Sequence, residues 1–203
     1  MRDLRSTVAL GLAAMFLTGC AATAGTGGDA MTGEVLDPPF VVNGEALVDG
    51  DDAPYSLVDD TDKPLTLVFF GYTHCPDICG IVMSTMASAM TRLSDEERAD
   101  VDVVFVTTDP QRDTPAVSAD YATNFDPGFI GVSGDLQTII DVAKPLAIAI
   151  EKGDKLPSGG YDVTHGTQVI AIDANDDGIA YWSEDVSSAQ LAADIQHLLD
   201  EEA

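Results

Sequence analysis

Cationic side chains are what this sequence has least of: nine Lys plus Arg stand against 35 Asp plus Glu in 203 residues, a formal net charge of −26. A surface of that sign repels nucleic acid phosphates and anionic lipid head groups, so nucleic acid is not expected as a partner. The acids fall in loops such as Asp49-Gly50-Asp51-Asp52 and Asp59-Asp60-Thr61-Asp62, which reads as a solvated surface. Such a surface also attracts metal cations or a basic partner, and charge alone does not separate the two. Cysteine is scarce as well, with Cys20, Cys75 and Cys79 the whole complement of three. A bridge between near neighbours such as Cys75 and Cys79 closes a small loop and gains little loop-closure entropy, so chemistry is favoured over stapling. The apolar run from Val8 to Leu17 is too short to cross a bilayer as a permanent helix.

What is present begins with an address. Arg2 and Arg5 precede the Val8–Leu17 run, which ends in Leu17-Thr18-Gly19-Cys20, the layout of a secretory signal. A cysteine directly after Leu-x-Gly resembles a bacterial lipobox, which implies that Cys20 is lipidated and becomes the mature N-terminus. The expected organisation is a signal peptide over 1–19, a flexible tether over 20–34 carrying the lipidated Cys20, and one domain over 35–203. The expected location is the extracytoplasmic face of the bacterial cell membrane, held there by the lipid anchor.

Within the domain, apolar runs alternate with helical patterns. Leu65–Phe70 and Val101–Val106 read as buried strands, with a helical spacing of Ile78, Ile81, Val82, Thr85, Met86 and Ala89 between them. A helix is predicted near Thr114-Pro115, capped by Asp113 or Thr114, and Phe129–Val132 and a helix from Asp135 to about Lys144 follow. Thr167–Ile172 and Ile179–Trp182 flank a turn-rich segment and read as a hairpin. A last helix opens on the capping-box pattern Ser187-Ser188-Ala189-Gln190. This alternation predicts an α/β fold with a central mixed β-sheet flanked by helices.

The chemistry centres on Cys75 and Cys79, placed where the first strand gives way to a helix. Cysteines at i and i+4 of a helix share a face, and a helix N-terminus stabilises thiolates. Pro76 suits a first helical turn, and two thiolates make a soft site that suits Cu(I). Three intervening residues differ from the two-residue spacing of thioredoxin-type redox motifs. Two sulfurs need a third ligand. His197 reads as a surface or boundary residue, and His74 as structural or electrostatic. His165 lies in Tyr161–Thr167, read as a loop entering a strand, where functional groups are often placed. The residues alone leave open whether His165 is a ligand or an ordinary loop histidine. Asp77, between the cysteines, is expected at the rim of the site. Asp109-Pro110 reads as a turn, with Arg112 paired to a nearby carboxylate and Asp113 or Thr114 as the cap. Asp173, Asn175, Asp177, Gly178 and Glu184 satisfy an EF-hand loop pattern, but predicted strands rather than helices flank them, so a β-turn is expected. Met83, Met86 and Met90 are expected to fill the core rather than to bind metal.

Gly71–Cys79, then Asp109–Pro115, then Tyr161–His165, resemble the Sco/SenC family in order and spacing, over roughly residues 53 to 200. The resemblance implies a membrane-tethered thioredoxin-like protein that binds copper, expected as Cu(I) with Cu(II) as the alternative. It implies a role in assembling the CuA centre of cytochrome c oxidase, with the oxidase subunit that carries CuA as partner. By the same resemblance Cys75, Cys79 and His165 are the copper ligands. Gly80 stands where the family usually has proline, Thr164 where it often has aspartate, and the lead-in from Tyr55 to Leu65 is short. The rival expectation is an extracytoplasmic thiol–disulfide oxidoreductase that reduces the target's cysteines. Against it, Asp162–Gln168 contains no proline, whereas thioredoxin-type reductases set a cis-proline facing the thiols.

Overall fold

The computed structural model describes residues 31–61, 63–155 and 161–202. The expected signal peptide, Cys20 and residues 20–30 of the expected tether lie outside the described residues. Among the described residues no helix is long and apolar enough to cross a membrane.

The first element, β1 (Glu34–Val41), contains Pro38 and Pro39 and was invisible to strand-reading by composition. Proline cannot donate to a ladder, so it is tolerated only at a sheet edge, which is where β1 lies. A small ribbon of β2 (Leu47–Val48) and β3 (Pro54–Tyr55) follows. Then come β4 (Leu65–Gly71), α1 (Cys79–Met90), α2 (Asp95–Ala99) and β5 (Val101–Thr107). Helix α2, absent from the sequence expectation, is started by reciprocal capping between Ser94 and Glu97. Thr114 rather than Asp113 caps α3 (Pro115–Thr123), with Pro115 in its first turn. Next are β6 (Ile130–Val132), α4 (Leu136–Ala143, capped by Asp135), β7 (Ile150–Lys155), β8 (Tyr161–His165), β9 (Val169–Asp173) and β10 (Asp177–Trp182). Finally α5 (Ser188–Glu202) is opened by the expected box, in which Ser187 and Gln190 bond each other's backbone N–H.

Six strands make one sheet in the order β1-β10-β9-β4-β5-β6, parallel across β4-β5-β6 and antiparallel elsewhere, so the expected mixed sheet is present. All seven residues of β4 are buried because the sheet is covered on both faces. Leu65, Leu67 and Phe69 turn to one side, against Met83, Met86 and Met90 of α1 and Leu191, Ile195 and Leu198 of α5. Val68 and Phe70 turn to the other, against Ile139 and Val142 of α4. The methionine stripe is therefore core. The acidic segment between β9 and β10 is a hairpin turn in which Asp173 Oδ1 accepts from the backbone N–H of Asn175 and of Asp177, each at 2.9 Å. Its remaining EF-hand letter, Glu184, accepts a hydrogen bond from Thr167 Oγ1.

The described chain starts against the core. Asp194 of α5, buried, accepts from the N–H of Thr32 (3.0 Å), the N–H of Gly33 (2.9 Å) and Trp182 Nε1 (2.7 Å). A side chain at Gly33 has no room, since its Cβ would stand 2.4 Å from Trp182 Nε1. Replacing Asp194 by Ala removes the acceptor of all three donors and strands Trp182 Nε1 in the interior, where an unpaired buried group costs about 1–3 kcal/mol. Chemical denaturation of Asp194→Ala is expected to show a loss of about 1–3 kcal/mol; a change within error would mean that water takes over the three donors.

Candidate metal centre

Strands β4 and β5 run parallel and end together, Gly71 beside Thr107 in register. Loops at the carboxyl ends of such strands are where α/β sheets place their sites. The cysteine segment, residues 72–78, is the loop after β4, and α1 begins only at Cys79. The expectation that both cysteines share a helical face is corrected here, along with the placing of Pro76 in the first turn. Cys75 precedes a proline, and the residue before proline is pushed out of helical geometry, so the helix starts later. The loop instead turns back, with the Cys75 N–H bonded to Tyr72 O at 3.2 Å.

The turn brings the sulfurs together without a disulfide. Burial pushes the Cys75 thiol up. The Cys79 thiol and the backbone N–H groups of Cys79, Asp77 and Ile78, all donating to it, outweigh that and hold it below the ordinary thiol value. Burial pushes the Cys79 thiol far up, and its hydrogen bond to Cys75 raises it further. The helix N-terminus thus favours one thiolate rather than the two expected. Cys79 is fully buried, Cys75 half-buried, and Asp77 exposed. Gly71 permits the arrangement, because a Cβ there would lie 2.8 Å from Phe69 Cε1 and 3.2 Å from Cys79 Sγ.

His165 is the last residue of β8, paired with Ile150 of β7, and not the loop residue the sequence reading placed there. The β7–β8 hairpin went unread because Glu151, Lys152, Gly153 and Asp154 carry no strand pattern. His165 Nδ1 lies 2.8 Å from Gly166 O. A carbonyl only accepts, so Nδ1 carries the hydrogen and the neutral ring presents its lone pair at Nε2. Nε2 stands 3.6 Å from Cys79 Sγ. Phe69 and Tyr72 pack edge-on against the ring, centroids 6.3 and 5.8 Å away. The Arg112 guanidinium lies 5.6 Å from the centre of the Tyr72 ring and pairs with Asp109, as its expected carboxylate.

Among the described residues no three His, Cys, Asp or Glu side chains stand as a ready-made metal cluster. Cys79 and His165 are in contact, and Cys75 borders them through its hydrogen bond with Cys79. The donor chemistry, two sulfurs and one imidazole nitrogen, suits a soft cation. His74 is outside this group: 58% of its side chain is exposed, and Nδ1 contacts Thr73 Oγ1 at 2.9 Å. His197 lies on the surface of α5, 3.7 Å from Glu201.

Residues 46–200 match the family model SCO1/SenC. The chain belongs to the SCO1/SenC family. A SCO2-like protein of Rickettsia typhi is 32% identical over 128 residues, which cover 63% of each chain. The chain thus spans under two thirds of that relative's length. The solution structure of apo Sco1 from Thermus thermophilus superposes with a TM-score of 0.75 at 29% identity, over 83% of this chain and 97% of that one. Bradyrhizobium japonicum ScoI, a structure with copper bound, gives 0.66 at 27% identity, over 78% and 99%. The fold is therefore the thioredoxin-like fold of SCO1/SenC proteins.

One departure of this SCO1/SenC chain from the family pattern has a structural answer. Gly80 sits in the first turn of α1, and a Cβ there would meet nothing within 4 Å. Gly80→Ala is expected to raise stability by about 0.5–1 kcal/mol, read as a higher denaturation midpoint, because alanine loses less backbone entropy in a helix. Sequence reasoning missed Tyr72, Thr73 and Asp113. Their signal was the position of Asp109–Pro115 directly after a strand parallel to the one that delivers the cysteines.

Proposed function

We propose that this chain is a lipid-anchored, extracytoplasmic copper-binding protein that supplies copper to the CuA-bearing subunit of cytochrome c oxidase. Copper is the cargo, held as Cu(I) by the sulfurs of Cys75 and Cys79 and by Nε2 of His165. The observation that carries the reading is the commitment of His165 Nδ1 to Gly166 O, which turns the lone pair of Nε2 toward Cys79 Sγ. Soft sulfur donors favour Cu(I) over the hard cations that the acidic surface attracts. Cys75, half-buried on a loop, is the donor that an incoming acceptor thiolate reaches first, while Cys79 and His165 remain anchored to α1 and β8. Binding displaces the Cys79 proton, because only the thiolate is a ligand.

The test is a Cu(I) titration of reduced protein against a competing chelator, with His165→Ala beside the wild type. A weaker complex in the variant supports the ligand set, and unchanged affinity defeats it. A second reading rests on the split between the thiols. The Cys75 thiolate attacks a target disulfide and releases one target thiolate. The Cys79 thiolate then attacks Cys75 Sγ of the mixed disulfide and releases the other, leaving a Cys75–Cys79 disulfide that an external dithiol must reduce. Efficient turnover on a disulfide substrate, with negligible copper affinity, selects this reading instead.

A further inference from the structure

Residues 72–78 belong to neither β4 nor α1, so where Cys75 stands is set by the loop's own contacts, its N–H bond to Tyr72 O at 3.2 Å and the side-chain bonds around it. One of them comes from outside the loop. The carboxylate of Asp113, fully buried, accepts from the Thr73 N–H at 2.8 Å and from Thr73 Oγ1 at 2.6 Å. Its third donor is Thr107 Oγ1, at 2.8 Å, from the end of β5. Asp113 is itself held at both backbone atoms. Its N–H donates to Asp109 O at 2.9 Å, and its carbonyl accepts from Ser133 Oγ at 2.7 Å. Capping does not explain this carboxylate, because Thr114 caps α3. A buried carboxylate is costly unless its hydrogen bonds are satisfied, and two of the three here go to a single loop residue.

We propose that Asp113 is a positioning residue for the thiol pair: by gripping Thr73 it sets where the Cys75 sulfur stands relative to Cys79 and His165. The copper consequence rests on the function proposed above; the effect on the thiol pair does not. Removing Asp113 would strand three donors in the interior and lower folding stability, so threonine variants carry the test. Thr73→Val deletes the hydroxyl that donates to Asp113 from the loop. Thr107→Val deletes the hydroxyl that donates from the strand and that also accepts from the Asp109 N–H at 3.0 Å, so it is the stricter stability control.

Two quantities are measured on the full-length protein. The first is the equilibrium with oxidised dithiothreitol, in which Cys75 and Cys79 give up two electrons and two protons to form their disulfide while dithiothreitol is reduced. The second is Cu(I) affinity by chelator competition. Thr73→Val is expected to shift both by about tenfold or more, as loss of an outer-shell contact does. Thr73→Ser is expected to restore both, and Thr107→Val to leave both within about twofold while lowering the melting temperature at least as much. The proposal is overturned if Thr73→Val leaves the dithiothreitol equilibrium unchanged, or if Thr107→Val shifts it equally. Should wild type fail to hold Cu(I) while that equilibrium responds as stated, the role of Asp113 stands and the copper reading falls.

Discussion

Cys75→Ala and Cys79→Ala are each expected to lower Cu(I) affinity by about 10²–10³-fold, and the double variant by much less than the product of the two. A structural zinc site is worth about 10–16 kcal/mol across four ligands, so each ligand carries about 2.5–4 kcal/mol. Once one sulfur is gone the remaining donors no longer enclose the ion, and removing the second costs little more. The two single variants should differ in a second readout. Cys75 is half-buried on a loop, so its loss leaves stability nearly unchanged. Cys79 is fully buried and packs with Phe69 and Met83, so its truncation should cost about 1 kcal/mol of folding stability. Chelator competition and denaturant titration on the same samples separate the effects. Wild-type affinity in either single variant would remove the thiol pair from the site.

The parts of the fold that periodicity dictates were legible in the sequence. The strand over Leu65–Gly71 is a continuous apolar run because both faces are covered, and the methionines of α1 follow helical spacing because they pack on that strand. The elements that were not legible are those whose reason is tertiary. β1 exists because it borders β10, despite its prolines, and the β7–β8 hairpin exists by pairing with itself rather than by composition. The site divides in the same way. Cys75 and Cys79 announce themselves by residue type and spacing, but their geometry was misread, since Pro76 delays the helix and leaves Cys75 in a loop. His165 was singled out by resemblance, and its tautomer depends on the carbonyl of Gly166, which only the folded backbone positions. Asp113 read as a helix cap because aspartate before a helix usually is one. That its carboxylate turns inward to Thr73 is decided by how β4 and β5 end side by side.

Cu(I) affinity is expected to rise by at least about tenfold for each unit of pH from 6 to 8, because binding must expel the proton of Cys79 and any that Cys75 still holds. Burial keeps that proton on well past the ordinary thiol value of 9.0, so over this range the free protein holds it and the complex does not. Cys75 acts in the opposite sense: hydrogen bonds already favour its thiolate, so it surrenders less of the pH dependence and is the sulfur that reacts first. Alkylation at pH 7 should therefore label Cys75 well ahead of Cys79. The same groups fix how stability of the copper-free protein follows pH. Above pH 9 the unfolded chain releases the Cys79 proton while the native state retains it, so the unfolded state binds fewer protons and stability falls as pH rises, by up to about 1.4 kcal/mol per unit. Cys75, depressed, contributes stability that is present above the ordinary thiol value and is lost as pH falls through its folded value. Loading with Cu(I) takes the proton from Cys79 beforehand, so the alkaline loss should disappear from the complex and persist in Cys79→Ala only to the extent that other groups cause it. A pH-independent copper affinity, or equal alkylation of both thiols at pH 7, would show that the two sulfurs are not split by their surroundings.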